Sequence, residues 1–171
     1  MSSHLPEYVS PLALAEKGCL IQGEYPLANL LRLKGMLAQD EGSVRFELNF
    51  QREGRSRVIT GFVLADLKLN CQVCMDALDL PIDRKVSLSI VTSIEQAERL
   101  SEEYEALLLQ STEDTVALMD IVEDELILAL PDFAKHGDCR IGVNTSSNIE
   151  EEPEQKEVVN PFSVLANLKK D

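Results

Sequence analysis

Two short pairs carry the clearest chemistry in this chain: Cys71-Gln72-Val73-Cys74 and, downstream, His136-Gly137-Asp138-Cys139. Three thiolates and an imidazole form the Cys3His set of a closed tetrahedral zinc site, and ligands three positions apart on a tight turn both reach one ion. Four protein ligands leave no coordination position for a substrate, so such a site would be structural. The pairs lie much farther apart than in small zinc fingers, and the fold must bring a strand end and a helix C-terminal turn together. The alternative reading is two reduced cysteines at a strand end and an exposed loop histidine. A redox Cys-x-x-Cys needs a helix behind it, and Pro81 follows too soon.

Other candidates are weaker. Asp120, Glu123 and Asp124 lie close together on one helical stretch, and paired carboxylates can hold Mg2+ for phosphoryl chemistry. No His, Lys or Arg accompanies them in sequence, and a helical charge run is usually a solvated face. Arg45, Arg52, Arg55 and Arg57 make a modest basic patch, either a nucleic-acid contact or a solvated hairpin tip; no aromatic residue is interleaved for base stacking. There is no phosphate-binding glycine loop, nucleophile elbow or dinucleotide fingerprint. Nothing requires an enzyme.

The elements that must position these groups follow from periodicity. Ser43–Gln51 alternates Val44, Phe46, Leu48 and Phe50 with polar residues, the mark of a half-buried strand. Arg52-Glu53-Gly54-Arg55 reads as a hairpin turn into an antiparallel strand at Val58–Ala65. Leu67–Cys71 and Ile82–Val91 read as two more strands, with Ile82, Val86, Leu88 and Ile90 on one face and the cysteine pair in their connection. Leu20–Tyr25 is a short strand candidate, and Pro26 opens a predicted helix through Leu27, Leu30, Leu31, Leu33 and Leu37. Ser101–Tyr104 suits a short helix or loop. A stronger helix spans Val116–Ala129, with Leu118, Ile121, Val122, Glu125, Leu126 and Ala129 at three- and four-residue steps, and Pro131 stops it. The reading is α+β: an antiparallel sheet with packed helices. It places one domain at 1–143, a mobile acidic linker at 144–159 and a short apolar helical motif at 160–171.

The chain has 171 residues and a net charge of −14. Residues 95–125 hold most of that surplus, 11 acidic residues against Arg99 alone. Such a block repels phosphate, so direct RNA contact would fall to the N-terminal half. The N-terminus lacks a signal-peptide pattern and no apolar run is long enough to span a bilayer, which predicts a cytoplasmic protein. Cys19 is left over and reads as a buried thiol at a strand edge.

The string Ile121-Val122-Glu123-Asp124-Glu125-Leu126-Ile127-Leu128-Ala129-Leu130-Pro131 resembles the Val-Glu-Asp-Glu-Leu signature of the YceD-like family of large ribosomal RNA subunit accumulation proteins. Cys71 and Cys74 after a strand, His136 and Cys139 after the proline, and Asn160–Lys169 match further family motifs in order. The first 60 residues match only in length and pattern. Val73 and Met75 stand where the family often has Arg and Leu or Gly; the zinc ligands are untouched, but no basic residue between the cysteines is left to contact RNA. The resemblance implies a cytoplasmic factor for synthesis, processing or stability of 23S ribosomal RNA, and no catalytic residue. Three mechanisms follow as expectations. The preferred one is a non-catalytic adaptor whose acidic block draws a basic ribosomal protein or assembly factor. Its tail would offer Phe162, Val164, Leu165 and Leu168 to a partner groove, or dock them on its own core. The others are direct binding of precursor RNA through Arg45, Arg52, Arg55 and Arg57, and, least favoured, a metal-dependent ribonuclease using Asp120, Glu123 and Asp124.

Overall fold

A computed structural model describes residues 5–137 and residue 139; the expected linker at 144–159 and the Phe162, Val164, Leu165 and Leu168 motif lie outside the described residues. A two-residue strand, β1 (Tyr8–Val9), precedes helix α1 (Pro11–Lys17). Pro11 opens that helix, where a missing N–H is no loss, and Gly18 closes it at φ 65°. Strand β2 (Cys19–Pro26) follows. The single helix expected from Pro26 to Leu37 does not form. The segment divides into a 3-10 turn (Leu27–Asn29), a four-residue helix α2 (Leu31–Lys34) and a strand β3 (Leu37–Gln39). Leu27, Leu30 and Leu33 are all fully buried, and Leu37 pairs with Leu69 of the sheet. Burial and strand pairing here override helix propensity.

The centre is a three-strand meander, β4 (Ser43–Glu53), β5 (Ser56–Asn70) and β6 (Ala77–Val91). Val44, Phe46, Leu48 and Phe50 point into the core as their alternation requires. The β4–β5 turn is Gly54-Arg55, with Gly54 at φ 59°. The two strands expected at Val58–Ala65 and Leu67–Cys71 are one, because Asp66 continues the alternation on the outer side. Gly61 is required by close approach: a Cβ there would lie 1.9 Å from the carbonyl oxygen of Glu47. Pro81 is accommodated within β6, opposite Asp66 and well before the stretch of β6 that has a second neighbour.

After β6 come α3 (Ile94–Ala97), capped by the Ser93 hydroxyl, then β7 (Glu105–Leu108), β8 (Val116–Ala117) and α4 (Leu118–Ala129). β7 runs parallel to the end of β6, from Leu88 opposite Glu105 to Val91 opposite Leu108. The fold is α+β as expected, but the sheet is mixed: its order is β2-β4-β5-β6-β7, with β3 also paired to β5. Helix α4 starts later than its pattern suggested, since Val116 and Ala117 pair with Val9 and Tyr8. Its Leu118, Ile121, Val122 and Leu126 join the core against the sheet. No helix among the described residues is long and apolar enough to cross a membrane.

Candidate metal centre

Cys71 is the first residue beyond β5, and the chain reverses at once. The Cys71 N–H donates to Asp76 O at 2.9 Å and the Met75 N–H returns to Cys71 O at 2.9 Å. Met75, the residue after the second cysteine, adopts φ 66°, a left-handed conformation that favours glycine. The second pair arrives from the turn after α4. Gln72 N–H donates to Ala134 O at 2.8 Å, which fastens that turn to the first pair, and Cys139 N–H bonds back to His136 O. The Sγ atoms of Cys71, Cys74 and Cys139 and a ring nitrogen of His136 all lie within 4.8 Å of one another.

The spacing fits a tetrahedral ion. Zn–S and Zn–N bonds of about 2.3 and 2.05 Å give S···S and S···N edges of roughly 3.8 and 3.6 Å. Cys71 Sγ and Cys139 Sγ are 3.7 Å apart, and Cys74 Sγ lies 3.5 Å from His136 Nδ1. His136 Nε2 sits 3.1 Å from Ala77 O, so a proton on Nε2 donates to that carbonyl and leaves Nδ1 as the ligand. That outer bond fixes the ring.

The protonation pattern fits the same use. The backbone N–H of Cys74, joined by those of Val73 and His136, holds the Cys71 thiol down at about 5. Cys139, facing Cys74 and Cys71, is pushed up to about 12. Beside Cys71 and the Ala77 carbonyl, the His136 imidazolium is favoured and its pKa rises. Sulfur ligands this close resist being ionised together, and a metal cation at their centre removes that conflict.

The carboxylates of α4 have a different role from the one their sequence suggested. Glu123 is buried, and Arg32 reaches it from the other end of the chain. Glu123 Oε1 accepts the backbone N–H groups of Arg32 and Leu33 at 2.7 and 3.0 Å, and Oε2 accepts Arg32 Nε at 2.9 Å. It therefore satisfies two backbone donors of α2. Asp124 takes Arg32 Nη1 at 2.6 Å. Glu125 is buried too and accepts Arg84 Nε at 2.9 Å, while Arg84 Nη2 bonds Glu105. So the run is divided: Glu123 and Glu125 are buried, Asp120 and Asp124 stay exposed, and a cation, Arg32, accompanies Glu123 and Asp124. Sequence held a signal for one pair: Arg84 falls on the inward parity of β6 between Ile82 and Val86, and Glu125 on the apolar stripe of α4.

The four arginines of the predicted patch are divided. Arg52 and Arg57 sit directly opposite each other and share Glu16 of α1. Arg55 is exposed in the turn itself. Arg45 lies near the other end of β4 and on the opposite face of the sheet from Arg52 and Arg57. Cys19, the first residue of edge strand β2, is half-buried rather than buried.

Residues 59–169 match the family described as large ribosomal RNA subunit accumulation protein YceD, a span that includes both ligand pairs and all of α4. A protein of Haemophilus influenzae with the same description is 31% identical over 170 residues, covering 96% of each chain. The chain belongs to the YceD family. No solved structure matches it. The resemblance carried by the Val-Glu-Asp-Glu-Leu helix and the two ligand pairs is thus that of a YceD member, and the buried acids of that helix hold this YceD fold together.

Proposed function

We propose that this chain supports the accumulation of large-subunit ribosomal RNA in the cytoplasm as a non-catalytic binding protein braced by a structural zinc ion. The observation that carries the scaffold reading is the Cys3His donor set, with spacing that suits a tetrahedral ion and a histidine already oriented by Ala77 O. Zinc when bound would tie the β5–β6 turn to the turn after α4. The description of the Haemophilus relative supports the ribosomal part. The carboxylates that a nuclease would need count against catalysis, since Glu123 is buried and committed to α2 and Arg32.

In this reading the chain acts as an adaptor. Glu95, Glu98, Glu102 and Glu103 are exposed, whereas Glu123 and Glu125 of α4 are buried, and the exposed four would attract a basic ribosomal protein or assembly factor. The Phe162, Val164, Leu165 and Leu168 motif would add an apolar contact in a partner groove. The test is affinity recovery of ribosomal proteins from lysate, alongside 23S-to-16S ratios in cells that carry either the parent chain or a variant with those four glutamates changed to glutamine. Loss of basic ribosomal partners together with a lowered 23S share is expected. Unchanged recovery would remove the acidic face from the mechanism, and Mg2+-dependent cleavage of precursor RNA by the pure chain would overturn the non-catalytic reading.

A further inference from the structure

At the end of β5 and β6 opposite the metal centre, a cleft of about 940 Å3 opens between α1, the β4–β5 turn, the end of β6 and the segment that follows α3. Its lining joins apolar residues, Leu12, Ile90 and Leu100 among them, to Arg55, Arg57 and Arg99. In so acidic a chain most arginines find a carboxylate. Among the described residues Arg32, Arg52, Arg57 and Arg84 do so, whereas Arg45, Arg55 and Arg99 have none within 4.0 Å. Two of those three line this one cleft. The single carboxylate in its lining, Glu16, is already held by Arg57 and Arg52. Ser56 and Thr112 add hydroxyls that can bond an anion.

We propose that this cleft binds the phosphate backbone of RNA, with Arg55 and Arg99 as its two anion contacts. None of the lining residues is aromatic, so bases are not stacked and the contact is independent of sequence. Guanidinium groups without carboxylate partners match phosphate oxygens in charge and in forked geometry. Glu95, Glu98, Glu102 and Glu103 are exposed beside Arg99 but do not line the cleft, so the anion contacts fall to the arginines inside it. Naming the phosphate as RNA rests on the ribosomal reading above. The site differs from the hairpin patch expected from sequence: Arg99 replaces Arg45 and Arg52.

The experiment measures anisotropy of a labelled single-stranded RNA with the full chain as purified, across a salt series, for the parent, R55E, R99E and the control R45E. Each cleft reversal is expected to weaken binding about tenfold at low salt and to lower the salt slope by about 1, while R45E leaves both near the parent value. R55K and R99K should retain most of the affinity. Equal weakening by R45E, or no salt-sensitive RNA binding by the parent, overturns the proposal. So does inorganic polyphosphate displacing the RNA at a lower phosphate concentration than unlabelled RNA. If a reversal lowers thermal stability, hydrogen exchange on the parent chain decides: RNA must slow exchange in the 55–57 and 92–100 peptides. Normal large-subunit RNA in cells lacking the chain would refute the ribosomal reading alone, because the cleft's affinity is measured apart from it.

Discussion

Met75 is the one described non-glycine residue with positive φ, and it sits directly after the second cysteine ligand. An L side chain in this conformation carries roughly 1–2 kcal/mol of strain, partly offset by the greater freedom that glycine would have when unfolded. Met75→Gly is therefore expected to stabilise the chain by about 0.5–1 kcal/mol, read as a raised Tm with metal content unchanged. The ligands themselves dictate a pH dependence. Metal can bind only deprotonated sulfur, and Cys139, held at about 12 in the metal-free chain, gives up its proton when the metal enters. His136, with its raised pKa, adds to that release as its imidazolium loses a proton. Affinity should thus fall about tenfold or more per pH unit on acidification through neutrality. Cys71, already ionised above about 5, contributes to the slope only near that pH. Zinc competition titrations at several pH values measure this, and a flat profile would exclude Cys139 as a ligand.

Helix α4 works as an element with two charged anchors. Glu123 serves α2, Glu125 serves β6, and Leu118, Ile121, Val122 and Leu126 on either side of them join the core. Removing Glu123 leaves buried donors of α2 without a partner, which is the expensive kind of hydrogen-bond loss. Glu123→Ala should cost about 2–3 kcal/mol in denaturant unfolding, and Glu123→Gln less, since an amide oxygen still accepts. Asp124→Ala removes an exposed pair and should cost under about 1 kcal/mol. Similar costs for Glu123→Ala and Asp124→Ala would mean that α2 does not depend on this carboxylate. Among the elements, β4, β6 and the body of α4 were legible because burial on one side leaves a clean period of two or of three to four. β7 and β3 were not, since three- and four-residue strands carry too short a pattern and exist through the neighbours they pair with.

The molecule has two working ends joined by the 15-residue strands β5 and β6. The Cys3His cluster lies at one end and the arginine cleft opens at the other. Chelation should therefore act locally. Hydrogen exchange is expected to rise in 70–77 and 130–137, where Gln72 N–H loses its hold on Ala134 O, while the amides of β4 and the middle of β5 stay protected. A uniform loss of protection would make the ion part of the global folding unit, and no change would deny it a bracing role.

Sequence by itself singled out the two Cys and His pairs that the fold brings together, the sheet's inward stripe and the family, because each is written in local spacing: three residues for a pair, two for a strand and a continuous motif for the helix. Tertiary structure alone decided which partners the charges take. Arg32 and Glu123 are 91 positions apart, and no periodicity links them. The same holds for the grouping of Arg55 with Arg99. A charge's role depends on what the fold brings within a few ångströms of it, and chain distance does not encode that.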